Sequence, residues 1–329
     1  MARKLASLQR IASVTAIEGA DLIEKVGVLG WHCVAKKSEF TPGDLCVYFE
    51  IDSLLPERPE FEFLRKSSWN SVLKKFRLRS TKLRGVLSQG LALPLNMFPT
   101  LAGRAEGDDV TALLNVDKFE PSVPAHLQGV ARAFSWPVSK TDEPRVESEP
   151  ELLSALQGKP YYITEKLDGT SATYLVEGGE FHACSRNLSL VESETNLYWT
   201  TARQLRLEEL LRQHEASTGQ RLAIQGEICG PGVQGNPLHL DAAGLFVFSL
   251  VDVGSRSRLS WAEMVGWCQT HGLQTVPLVE LDDAFTANQA EIIALSESRP
   301  GSEGIVVRSQ DQSISFKKIN NAYLLKRGE

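Results

Sequence analysis

The chain has 329 residues, 42% hydrophobic and 23% charged, with a formal net charge of −6. That length allows two ordinary domains with sizeable cores, and the composition is that of a soluble globular protein. The acidic balance excludes a protein that coats nucleic acid uniformly with positive charge, although a local basic groove can still oppose the net sign. Cys33, Cys46, Cys184, Cys229 and Cys268 are widely spaced, with no C-x-x-C pair. They suit reduced thiols in a cytoplasmic protein and support neither a disulfide framework nor a zinc knuckle. No apolar run is long enough to span a bilayer, and no apolar core follows Arg3 and Lys4 as a secretory signal requires, so no membrane association is expected.

In chain order, residues 5–56 read as β. Val26–Ala35 is strand-rich and broken by glycine, Thr41-Pro42-Gly43-Asp44 is a turn, and Leu45–Ile51 is a further strand. A β pair is expected around Lys82–Leu93. Short strands, glycine turns and no long helix before residue 110 predict a small barrel of the OB type over residues 1–116, with another barrel or a sandwich as the alternative. Residues 117–150 carry Pro121, Pro124, Pro137, Pro144 and Pro150 and read as a linker, although Phe134-Ser135-Trp136 is aromatic for one.

From 151 to 329 strands and helices mix. Strands are expected at 160–166, 172–177, 222–228, 245–252, 304–308 and 313–318. A helix is expected over Glu194–Glu215, with Leu197, Leu205, Leu207, Leu210 and Leu211 supplying its apolar face. Ser260-Trp261-Ala262-Glu263 is a capping box opening a second helix that Gly272 closes, and Thr286-Ala287-Asn288-Gln289 opens a third. Helices between non-consecutive strands predict an α+β domain of antiparallel sheets, not a regular βαβ wind.

The chemistry centres on Glu165-Lys166-Leu167-Asp168-Gly169, where a lysine at a strand end meets a turn. An amine attacks only when unprotonated, so a nucleophilic Lys166 requires neighbours that suppress its ammonium. Taken alone, Lys-x-Asp-Gly fits a surface lysine beside a turn better than a nucleophile. The ordered set behind it changes that: Ser185-Arg186-Asn187, Gly226-Glu227-Ile228-Cys229-Gly230, Phe248 in an apolar strand, Ser302-Glu303-Gly304, and Lys317-Lys318.

These six motifs, in this order across 160–320, resemble the covalent nucleotidyltransferases, the superfamily of ATP-dependent DNA and RNA ligases and mRNA capping enzymes. The resemblance implies an adenylyltransferase domain in which Lys166 takes AMP from ATP as a phosphoramidate, aided by Lys317 and a divalent metal, Mg2+ or Mn2+. Glu165 would read the adenine edge, Arg186 the ribose or phosphate, and Phe248 would stack on the base. Glu227 would contact ribose or metal, Glu303 the metal, and Asp168 metal-bound water. The chain departs from the family at Ser249, where aspartate is usual, and at Ile319, where a second lysine is frequent; Lys318 is expected on the opposite face from Lys317.

The barrel precedes the catalytic domain, an order that resembles the Deinococcus-type RNA ligases, which seal nicks in duplexes with an RNA 3′-OH strand. Lys140-Thr141-Asp142-Glu143-Pro144-Arg145 and the Leu22–Lys37 stretch resemble the same group. The implied partner is a nicked RNA duplex or RNA/DNA hybrid with 3′-OH and 5′-phosphate ends, joined by a monomer. Between Arg65 and Arg84 there are eight basic and no acidic residues, and Lys74, Lys75, Arg77, Arg79, Lys82 and Arg84 are its candidate RNA contacts. A DNA ligase, a guanylyltransferase and a non-catalytic nucleic-acid-binding protein on a ligase fold are the competing readings.

Overall fold

A computed structural model of the chain describes residues 3–119, 131–132, 137–299 and 301–327. Pro121, Pro124, Phe134 and Trp136 of the expected linker lie outside the described residues. The chain divides into two compact units: Met1–Ser122 with Val146–Pro150 and Asn321–Glu329, and Val123–Arg145 with Glu151–Asn320. Segment 146–150 and the chain end therefore group with the first unit, where the sequence suggests linker and catalytic domain.

The first unit contains β1 (Ala6–Ala16), β2 (Ile23–Val28), β3 (Trp31–Lys36), β4 (Leu45–Phe49), β5 (Ser53–Leu55), the single turn α1 (Arg65–Ser68), β6 (Trp69–Asn70), β7 (Lys75–Arg77), β8 (Thr81–Leu83), β9 (Val86–Ser88), β10 (Leu91–Pro94) and β11 (Asp117–Lys118). Its main sheet has the order β10-β4-β1-β2-β3. The long β1 makes the barrel possible. Ala6–Arg10 pairs with β4, Ile11–Ala16 pairs with β2, and the register shifts between Ile11 and Ser13. Such a bulge bends a strand and raises its twist, so one strand serves both halves of a curled sheet. Leu8, Val47, Phe49, Phe61, Phe76 and Leu93 fill the interior, with the Phe49 and Phe61 rings edge to face at 5.3 Å. This is the expected OB-type architecture.

The second unit contains β12 (Ala131–Arg132), α2 (Glu151–Leu156), β13 (Tyr161–Lys166), β14 (Thr170–Glu177), β15 (Glu180–Cys184), β16 (Ser189–Leu190), α3 (Leu197–Gln204), α4 (Leu207–Thr218), β17 (Leu222–Cys229), β18 (Gly244–Asp252), α5 (Trp261–Thr270), β19 (Gln274–Thr275), β20 (Leu278–Asp282), α6 (Gln289–Glu297), β21 (Gly304–Ser309) and β22 (Ser315–Ile319); α7 (Asn321–Arg327) follows. One sheet runs β12-β16-β15-β14-β17-β18-β19 and the other β20-β13-β21-β22, with only β18 and β19 parallel among these pairs. The fold is α+β, as expected.

The single helix expected over Glu194–Glu215 is two helices. Arg206 is left-handed at φ 55° and turns the chain between α3 and α4, while Asn196 caps α3 by accepting from the Tyr198 N–H at 2.9 Å. The apolar spacing hides this break because Leu207 and Leu211 on one helix and Trp199 and Ala202 on the other enter the same core. Ser260 and Glu263 form the expected capping box. The third helix starts at Gln289, because Asn288 is its cap and Glu291 closes the box.

Candidate active site

The site forms where β13, β21 and β22 present one face. Thr164 pairs with Val306, and Val306 pairs with Lys317, so all three side chains share that face, with Lys166 two residues beyond Thr164. The opposite wall comes from β17, β18 and the β15–β16 turn. The cleft, open to solvent, is lined by Glu165, Lys166, Arg186, Glu227, Phe248, Val306, Arg308 and Lys317, with Thr141, Asp142 and Glu143.

Two glycines set its geometry by close approach. A Cβ on Gly169 would stand 2.4 Å from the Ile228 carbonyl oxygen and 2.8 Å from the Glu227 side chain. Without it, β14 and β17 pair Thr170 with Ile228 and bring Glu227 to the turn after Lys166. Gly304 has φ 153°, and its Cβ would meet the Lys318 carbonyl at 2.2 Å. That glycine lets β22 close on β21 directly behind Glu303.

Lys166 Nζ lies 2.6 Å from Glu303 Oε1. Burial works against the ammonium, but Glu303 and Glu227 outweigh it and hold the Lys166 pKa above its ordinary value, with Arg186 opposing. Two carboxylates thus face the Lys166 amine, and they favour its ammonium. Burial also pushes Glu227 up, to about 7; Lys166 and Arg186 pull it down, while Glu303 and Asp168 repel it. Asp168 is not part of the cleft lining, but its charge reaches Glu227 from the turn before β14.

Arg186 is exposed at the centre of a turn closed by the Ser185 N–H donating to the Leu188 carbonyl at 2.8 Å. On β18 the register shifts so that Gln225 faces Ser249 and Gly226 faces Val247, which leaves Phe248 as the extra residue. The bulge turns the Phe248 ring toward the cleft. Phe246 packs beside it over Leu167 and Val276. Ser249 is fully buried and donates to Gln312 at 3.3 Å, and Asp252 accepts the Ser255 N–H at 2.7 Å, so neither supplies a carboxylate beside Phe248. The Glu165 carboxylate is ion-paired with Arg299.

Lys317 donates to Asp142 at 2.8 Å. Burial pushes its pKa down to about 8; Asp142 resists this, and Arg145 and Lys166 add to it. Lys318 is buried and donates to the Ile319 carbonyl at 2.6 Å.

Sequence reasoning missed the strap Ser139–Arg145 as part of the site. The Ser139 carbonyl accepts from Gln225 at 2.8 Å, Lys140 donates to Asn187 at 3.0 Å, and the Pro144 carbonyl accepts the Lys317 N–H at 2.8 Å. Glu143 meets Arg308 at 3.0 Å, Arg258 at 3.1 Å and the Ser315 hydroxyl. These residues stand among prolines, which read as linker. Arg308 carried a usable signal: a charged residue two places after Val306, in an otherwise apolar strand that also sends Val306 to the cleft.

The basic segment belongs to the first unit. Lys74, Arg79, Lys82 and Arg84 are exposed. Lys75 is ion-paired with Asp117, and the Arg77 guanidinium lies 3.5 Å over the Phe119 ring. Arg65 meets Glu57 at 2.6 Å and Glu62 at 2.7 Å and lies over Trp69. The run of like charge is thus partly neutralised by acids outside it. No helix among the described residues is long and apolar enough to cross a membrane.

Two family models match the sequence, an OB-fold domain over residues 5–95 and RNA ligase over residues 159–322. No curated protein matches it. Among solved structures it is similar to Naegleria gruberi RNA ligase over 98% of both chains: a glutamate-to-alanine mutant with AMP and Mn at 35% identity and a TM-score of 0.90, a form with PPi at 35% and 0.89, and a lysine-to-alanine mutant with ATP and Mn at 34% and 0.88. The chain belongs to the RNA ligase family. As an RNA ligase it is an enzyme, with an OB-fold domain ahead of its ligase domain.

Proposed function

We propose that this RNA ligase uses ATP and a divalent metal to seal 3′-OH/5′-phosphate nicks in duplexes with an RNA 3′-OH strand, through an AMP carried on Lys166. The observation that carries this reading is one cleft lined by Lys166, Arg186, Glu227, Phe248 and Lys317 together. Phe248 and Val306 offer apolar faces for a purine, and Glu165, whose carboxylate is taken by Arg299, would meet its edge through the main chain. Arg186 and Lys317 supply cations to the ribose and phosphates.

In the first step Lys166 sheds its proton to solvent, and the Nζ lone pair attacks the α-phosphorus of ATP. An N–P bond forms, the bond from that phosphorus to the bridging oxygen breaks, and pyrophosphate leaves with the electron pair. An oxygen of the RNA 5′-phosphate then attacks the adenylyl phosphorus: a P–O bond forms, the P–N bond breaks, and Lys166 leaves as the amine, its nitrogen taking a proton from solvent. Finally the 3′-OH attacks the activated phosphate, its proton leaves to solvent, and AMP departs. Positioning and charge stabilisation carry most of such a transfer.

Among the described residues no group of three or more His, Cys, Asp or Glu stands ready to hold a metal ion. Glu303 and Asp168 nevertheless each repel the Glu227 carboxylate, which fits a hard cation that keeps water and phosphate oxygens among its ligands. Those three carboxylates would hold Mg2+ or Mn2+, which would draw off charge from the α-phosphate.

Arg79, Lys82, Arg84 and Lys74 support duplex binding by the OB domain, with Lys75 and Arg77 contributing from their paired positions. A mostly A-form substrate is recognised through backbone and 2′-OH, not base sequence. Five buried free cysteines support a cytoplasmic setting, and we take the working form to be a monomer. Incubation with α-labelled ATP or GTP, followed by peptide mapping, tests the first step: label from ATP on Lys166 is expected, and label from GTP points to capping chemistry. Sealing of nicks bearing ribose but not deoxyribose at the 3′-OH end separates RNA from DNA ligation.

A further inference from the structure

Two ion pairs of opposite sense flank the junction of β13 and β21. On β13 the acid Glu165 is followed by the base Lys166. On the segment entering β21 the base Arg299 comes four positions before the acid Glu303. Glu165 pairs with Arg299, and Lys166 with Glu303 at 2.6 Å. Strand register places Lys166 opposite Gly304 and Glu165 opposite Ile305. Alternation along β13 sends the two side chains to opposite faces, so the pairs grip the junction from both sides.

Arg299 is held on its own side as well. Its N–H donates to the Ser296 carbonyl at 3.3 Å at the end of α6, and its carbonyl accepts the Ser302 N–H at 3.2 Å, next to Glu303. Its guanidinium is only partly exposed, and its Nε is buried without a hydrogen-bond partner among the described residues. The unmade Nε edge leaves the Glu165 carboxylate as the partner that holds this half-buried guanidinium in place. The Glu165 main chain is fixed in turn, its N–H donating to the Pro277 carbonyl at 2.9 Å.

We propose that Arg299 is a positioning residue for adenylyl transfer. By clasping Glu165 it ties the approach to Glu303 to the strand that carries Lys166, and so sets where Glu303 meets the Lys166 amine. Arg299 touches no reacting atom. The inference rests on the reading of Lys166 as the residue that forms the N–P bond with α-phosphorus while pyrophosphate leaves.

The test is single-turnover transfer of label from ATP to Lys166 in the full chain, with wild type, Arg299→Gln, Arg299→Lys, Glu165→Gln and the Arg299→Gln/Glu165→Gln double variant. Arg299→Gln is expected to slow transfer about tenfold or more while the KM for ATP moves by less than about threefold. Arg299→Lys, which restores a cation, should recover most of the rate, and the double variant should be no slower than Arg299→Gln. Wild-type rates in Arg299→Gln overturn the proposal. So does a loss that tracks a lowered melting temperature and is not recovered by Arg299→Lys, because that marks a general support of the fold. Absence of label on Lys166 in the wild type instead removes the underlying mechanism, an outcome distinct from either.

Discussion

Lys317 Nζ stands 2.8 Å from the Asp142 carboxylate, so a strap 175 residues earlier in the chain holds the cation that β22 delivers to the cleft. The pair has a consequence for pH. Burial lowers the Lys317 pKa to about 8, and Asp142 keeps it from falling further. A bound triphosphate favours the ammonium, so the pKa in the complex lies above that of the free protein. Nucleotide affinity should be flat below about pH 8 and weaken above it by up to about tenfold per pH unit, with proton uptake on binding. Asp142→Asn should move the onset to lower pH. Calorimetric titration in buffers of different ionisation enthalpy measures both effects, and affinity unchanged to about pH 9.5 would count against a cationic role for Lys317.

Gly169→Ala should damage the site through geometry alone. The new Cβ meets the Ile228 carbonyl at 2.4 Å, and backbone cannot step aside as a side-chain tip can. A cost of about 1–3 kcal/mol is expected, read as a lower urea midpoint. The adenylylation rate should fall further than stability does, because the end of β17 that must yield carries Glu227.

Glu143 anchors the strap in a buried cluster. Burial raises its pKa, but Arg308 and Arg258 prevail and hold it below the usual glutamate range. The cluster therefore adds stability above the ordinary glutamate pKa, lost as pH falls through the lower folded value. Glu143→Ala leaves two guanidinium groups facing an emptied centre and should cost about 3–5 kcal/mol in chemical denaturation. Glu143→Gln keeps the volume and removes only the charge; a loss as large as that of Glu143→Ala would show that charge holds the strap, and a much smaller one that packing does.

Reversing charge at Arg79, Lys82 and Arg84 should weaken binding to nicked duplex while sparing transfer of AMP to Lys166. The slope of log affinity against log salt should shallow by about 0.7–0.9 for each phosphate that is no longer neutralised. Reversal at Lys75, already paired with Asp117, should change that slope less. Failure of binding and labelling together would contradict a separate RNA surface.

The alternation of β13, β21 and β22 was legible because period-two placement is a local property. Alternation alone separates Lys317 from Lys318, whereas Thr164, Val306 and Lys317 come to one face through the register between the three strands. The capping box at Ser260 is local in the same sense, requiring only a side chain and the N–H groups one turn ahead, whereas the box of the third helix sits at Asn288, two residues beyond the Thr286 that the sequence suggests. The helix break at Arg206 was not legible, because both halves bury their apolar residues in one core and the spacing runs on through the turn.

The identity of this protein was written in the linear order of six short motifs, each carrying a residue type that its chemistry demands. What those residues experience was decided only by folding. The bulge that turns Phe248, the two carboxylates that keep Lys166 charged, and the strap that brings Asp142 and Glu143 to Lys317 and Arg308 all depend on partners far apart in sequence. A sequence pattern specifies which groups are present, but fields and burial depend on distances through space, and those arise from the packing of whole sheets.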